Sequence, residues 1–192
     1  MGALANQQVG DFINKQFVSA YVKVGTFALV NGQKQGGNVA SYFCLPDGSV
    51  LHAIAGPTDA NTFLFESRWI VDVHNRAAFE GRDNVTRYWK VVRDAHAERL
   101  QRDFGISRGQ INRLHDLAAQ ATQEEAGRFT QPRDPITAAK LQVLEAHHHI
   151  GNAGRVHLLA ALFPQEKVED VYKYVFERIL NERVSSLPVV EK

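Results

Sequence analysis

An α/β domain of about three strands, followed by an all-helical extension, is the architecture this sequence predicts. Three observations carry that reading. Val18, Ala20, Val22 and Val24 alternate with Ser19, Tyr21 and Lys23, the period of a strand with one buried face. Two apolar runs, 39–45 and 50–54, flank Pro46-Asp47-Gly48, where Pro presets φ, Asp bonds back to the backbone and Gly accepts a positive φ. From about residue 84 the alternation stops and apolar residues recur at helical spacing. The expected division is therefore an α/β domain over residues 1–80 and a helical extension over 81–192.

Each element has its own signal. "NQQVGDFINKQF" predicts a first helix, with Asn6 as cap and Val9, Phe12, Ile13 and Phe17 on one face. "NGQKQGGN", residues 31–38, holds three glycines and no apolar side chain, which predicts a surface loop. After Gly56-Pro57, "TDANTFLFESRWIVDVHNRA" reads as a helix capped by Thr58 or Asp59, its apolar face including Phe63, Trp69, Ile70 and Val73. "NVTRYWKVVRDAHAERLQRDF" is a long amphipathic helix closed by Gly105. "SRGQINRLHDLAAQATQEEAG" opens on Ser107 with Gln110 three residues on, a capping-box spacing, and ends near Gly127. "QPRDP" breaks the chain, and further helices are expected through "ITAAKLQVLEAHHH", "RVHLLAALF" and "EKVEDVYKYVFERILNERVSS".

Composition excludes several classes. The 192 residues are 44% hydrophobic and 22% charged, a globular balance rather than a disordered or fibrous one. A net charge of +1 gives no global case for nucleic acid or a membrane surface. One cysteine excludes an intrachain disulfide and a cysteine-based zinc cluster. No apolar run reaches the ~18 residues of a membrane span. Read from Met1, the chain opens without a basic start and apolar core, so a cytoplasmic location is expected.

In order and spacing, "NQQVGDFINKQFVSAYVKV" and "YFCLPDGSVLHAIAGPTDANTFLFESRWI" resemble the thioredoxin-like fold family. There a helix leads into a strand, and an apolar strand, a P-D-G turn, a second strand ending in Gly and a terminal helix close the domain. The resemblance covers roughly residues 4–75. It implies a thioredoxin-like domain truncated or degenerate at its N-terminus, because the C-x-x-C motif and the central strand before it have no counterpart here. Val39 stands where members place a cis-proline, and a cis bond before any other residue costs about 3 kcal/mol. Three ways of completing the sheet follow: a start upstream of Met1, direct pairing of the two halves, or a strand from another chain. Dithiol exchange needs an attacking and a resolving thiol. The resemblance thus implies a redox-inactive member.

Cys44 lies between Phe43 and Leu45 with no neighbouring Lys or Arg, which predicts a buried, inert thiol. In "EAHHHIGNAGRVH", Glu145 and His149 share a helix face, but a zinc site would need a further ligand such as His157, so no metal is expected. Lys34 among glycines lacks the order of a phosphate-binding loop. No hydrolase motif is present, and neither catalytic residues nor a cofactor is expected.

"LQRDFGISRGQINRL", residues 100–114, resembles a DNA-binding helix-turn-helix. Gly105 would make the turn, Ile106 and Ile111 would pack inward, and Ser107, Arg108, Gln110 and Asn112 would face a groove. Residues 82–114 hold eight Arg or Lys against four Asp or Glu. Against it, Gln101 replaces the usual small residue and Gly109 weakens the second helix by about 1 kcal/mol relative to Ala. Nucleic acid is therefore the disfavoured partner. The expected function is a scaffold that binds a protein or peptide at a sheet edge, residues 18–24 or 39–45. Two alternatives stand beside it: a thiol-disulfide oxidoreductase whose C-x-x-C precedes Met1, and a DNA-binding regulator through residues 100–114.

Overall fold

The structure, a computed structural model, describes residues 3–22, 28–30, 33–35, 38–126, 142, 145–182 and 184. In chain order, α1 is Gln7–Gln16, β1 Ala28–Val30, β2 Gln33–Gln35, β3 Ala40–Cys44 and β4 Val50–Ala55. Then come α2 (Ala60–Gly81), α3 (Val85–Phe104), α4 (Arg108–Ala126), α5 (Gly151–Leu162) and α6 (Val168–Tyr174). Contacts divide the chain into two units, Met1–Asp72 with Glu166–Lys192, and Val73–Gln165, so that the division falls within α2. No helix among the described residues is long and apolar enough to cross a membrane.

The thioredoxin-like fold is not what forms. The protein is mostly helical, and among the described residues its strands make two separate antiparallel hairpins, β1 with β2 and β3 with β4, that share no ladder. The expected strand at 18–24 is absent from its described part. Residues 18–22 form no regular structure and no ladder, and Val18, Tyr21 and Val22 are exposed, Tyr21 to 93%. Alternation states which face would be buried if a neighbour were there; it cannot supply the neighbour. Lys23 and Val24 lie outside the described residues. The loop expected at 31–38 is also corrected, since Gln33–Gln35 is a strand paired with β1 in the register Leu29 to Lys34. A short ladder needs backbone groups rather than apolar side chains, so an all-polar run can pair.

In the first unit, Asn6 caps α1 by accepting from the amides of Gln8 and Val9 at 2.9 and 3.3 Å. Asp59 does the same for α2, taking the Asn61 and Thr62 amides at 2.9 and 3.0 Å. These bonds hold the Asp59 carboxyl below its ordinary value. The core gathers Val9 of α1, Phe43 and Leu51 of the hairpin and Phe63, Leu64 and Ile70 of α2. Phe43 rings with Phe17 at 5.4 Å and Phe63 at 6.1 Å. The last described helix ends earlier than expected: a π-type turn at Val175–Ile179 follows α6, and residues 180–182 are not helical.

In the second unit, α3 runs from the Asn84 cap, which accepts from Arg87 N at 2.9 Å, to Gly105 at φ 71°. Trp89, Val92 and Leu100 on α3 are buried, as are Val156, Leu158 and Leu162 on α5. Gly154 lets α5 approach α3: a Cβ there would lie 2.9 Å from the Phe104 ring. Most of the expected helix before His147 lies outside the described residues; its visible end passes into a 3-10 turn at His148–Ile150.

Candidate functional site

The β3–β4 hairpin sets up its own open edge. Its register pairs Ala40 with Ala55, Ser41 with Ile54, Tyr42 with Ala53 and Phe43 with His52, and shifts at a bulge before Cys44 pairs with Val50. Gly56 N donates to Val39 O at 2.8 Å, and beyond the bulge Leu45 N donates to Ser49 O at 2.9 Å. Antiparallel ladders alternate bonded and non-bonded pairs. Ser41 and Phe43 therefore bond β4, while the N–H and C=O of Ala40, Tyr42 and Cys44 point the other way. Among the described residues, no backbone group answers those outward ones.

The opposite edge is occupied at its turn end, Gly48–Val50. Val50 N donates to Glu166 O at 2.8 Å, Val168 N to Gly48 O at 3.0 Å, and Ser49 bridges Lys167. Lys167 Nζ fastens this join by donating to Asp47 Oδ2 at 2.7 Å, Asp47 O at 2.8 Å and Ser49 Oγ at 3.0 Å. The Lys167 bond, helped by the Ser49 amide and hydroxyl, lowers the Asp47 carboxyl to about 2. Glu182 accepts from Asn38 N at 3.0 Å just before β3. Along β3, by contrast, the outward groups of Ala40, Tyr42 and Cys44 have no backbone partner among the described residues.

Two side chains on that strand are chemically informative. The Tyr42 hydroxyl is buried, has no hydrogen-bond partner among the described residues, and has its ionisation pushed up by burial. Burial, then the carboxylates of Glu169 and Asp47, push the Cys44 thiol up to about 11. At neutral pH it is the protonated thiol, a poor nucleophile. His52, opposite Phe43, is buried with Nε2 3.3 Å from Glu66 Oε2 and its ring edge-on to Trp69.

The helix-turn-helix residues lie on α3, the turn and α4. Ile106 and Ile111 are buried, and Ser107, Arg108, Gln110 and Asn112 are exposed. The capping box forms: Gln110 Oε1 accepts from Ser107 N at 2.8 Å and Ser107 Oγ accepts from Gln110 N at 3.3 Å. Arg108 donates to Glu98 at 3.0 Å. Three of the four groups that would read a groove are thus engaged within the chain. Arg108 and Asn112 instead line a cleft of about 290 Å3 between α3 and α4, with Lys90, Arg93 and His115 around it and Ile111 on its floor.

The histidine tract does not assemble as a ligand set around His157. Glu145, His148 and His149 are exposed, and His148 Nδ1 meets Glu145 O at 3.0 Å. His157 instead faces His96, Nδ1 to Nδ1 at 2.8 Å, with both side chains essentially inaccessible at 1% and 0%. His96 is the residue sequence reasoning missed. Its signal was available: it lies four residues after buried Val92 and four before buried Leu100, on the apolar face of α3.

No family model, curated protein or solved structure matches this chain.

Proposed function

We propose that this is a non-catalytic binding protein that receives an extended segment of a partner polypeptide along the outer edge of β3. The observation that carries the proposal is the row of outward N–H and C=O groups at Ala40, Tyr42 and Cys44, without backbone partners among the described residues. Natural sheets blunt such edges with lysine, proline or a covering element. β3, "ASYFC", carries no charge and no proline. Val39 at the strand's start and Val18, Tyr21 and Val22 in the same unit are exposed apolar residues of the kind that mark protein contacts.

Two bonds for each outward residue give about six hydrogen bonds, at roughly 0.5–1.5 kcal/mol net each. Ordering the peptide consumes much of that, so affinity in the micromolar range, about −8 kcal/mol, needs side-chain contacts as well. Binding is expected to be selective for peptides that alternate apolar and polar residues.

Selection from a displayed library of random peptides tests this. Bound sequences are expected to alternate in that way. Tyr42→Pro removes an outward N–H and leaves the β3–β4 ladder its bonds, so it should weaken the selected peptides at least about tenfold with the hairpin intact. Recovery of no peptide, or binding that survives Tyr42→Pro unchanged, contradicts the proposal.

A further inference from the structure

We propose that His96 and His157 are two ligands of a divalent transition-metal site. The pair sits on two regular helices, α3 and α5, with its Nδ1 atoms facing each other at 2.8 Å and its ring centroids 5.0 Å apart. Both rings are buried. A Phe104 ring lies 6.2 Å from that of His157 and gives the pair an apolar wall.

Two neutral imidazoles meeting Nδ1 to Nδ1 can share one proton, so one ring donates and the other accepts. Neutral imidazole is also the commonest metal ligand. A tetrahedral zinc ion with bonds of about 2.0–2.1 Å holds adjacent nitrogens roughly 3.3–3.4 Å apart. The observed separation needs to open by only about half an ångström, within reach of a small ring rotation on each helix. The donating ring moves its proton from Nδ1 to Nε2, and both Nδ1 lone pairs then face the ion. The rings stay neutral, no proton leaves the pair, and no redox partner is needed. Placing both ligands on helices holds them at the precision such a site demands. A zinc site takes three or four protein ligands, so at least one more side chain completes it.

The test uses the full chain, stripped of metal and titrated with Co2+ and then Zn2+. One equivalent of Co2+ should give the visible absorption of a tetrahedral nitrogen-ligated ion, and Zn2+ should displace it. His96→Gln and His157→Gln should each weaken binding by more than about a hundredfold, since outer-shell partners alone are worth about 10–100-fold. Replacing His147, His148 and His149 together by Gln should leave it unchanged. Single Ala replacements of the remaining histidines identify any further histidine ligand. In the wild-type protein, NMR of isotopically labelled imidazoles should show Zn2+-induced shifts at Nδ1 of His96 and His157, a readout that does not depend on the variants folding. Absence of a one-to-one Co2+ complex, loss of binding only in the His147–149 variant, or unshifted His96 and His157 nitrogens would each overturn the proposal.

Discussion

Cys44 illustrates how a strand position controls a side chain's chemistry. Its thiol titrates at about 11, raised first by burial and then by Glu169 and Asp47, against an ordinary value of 9.0. Folding favours the neutral thiol, so this contribution to stability is complete below pH 9.0 and fades as pH rises through about 11. Alkylation of folded Cys44 by iodoacetamide should therefore stay slow at neutral pH and accelerate only toward pH 11, while the urea-unfolded chain reacts with an inflection near 9. An inflection near 9 in the folded protein would contradict the assignment. Phe43, Leu45 and the lack of a cation beside it in sequence predict a buried thiol; Cys44 is instead half-buried, and Glu169, distant in sequence, could not be read from that stretch. His96 and His157 were harder to read as a pair. They stand sixty-one positions apart, and only the packing of α3 against α5 joins them. Periodicity places each on an apolar face but gives no partner.

Elements with local causes were legible, and elements with distant causes were not. Asn6, Asp59, the Ser107–Gln110 box and Gly105 act within a few residues, and the helices they bound form as their sequences predict. The turn Pro46-Asp47-Gly48 acts locally too: Gly48 takes φ 83° and Asp47 accepts from Ser49 N at 3.0 Å. The run at 18–22 has strand composition but no ladder, since pairing is decided by what lies beside it. Gly105 offers a measurable case. At φ 71° it has open space around it, so the penalty for a side chain is conformational rather than steric. Gly105→Val should destabilise the protein by about 1–2 kcal/mol and Gly105→Asn by less, read from denaturant midpoints. Equal midpoints for both variants would contradict that left-handed turn.

At the scale of the molecule, the expected α/β fold did not form because its reading rested on the order of elements rather than on their pairing. Helix, strand, turn, strand and helix do follow one another, but among the described residues β1–β2 and β3–β4 remain separate hairpins and no thioredoxin-like sheet forms. What survives is the hairpin itself and, with it, the idea of a polypeptide bound at an edge. That idea requires the edge to be open in the free protein. Hydrogen exchange of the β3 amides, resolved by NMR, tests it most directly. Ser41 and Phe43, bonded to β4, should exchange slowly, while Ala40, Tyr42 and Cys44 should exchange many times faster. Uniform protection of all five amides would mean that the edge is already covered, and the binding role proposed for it would be wrong.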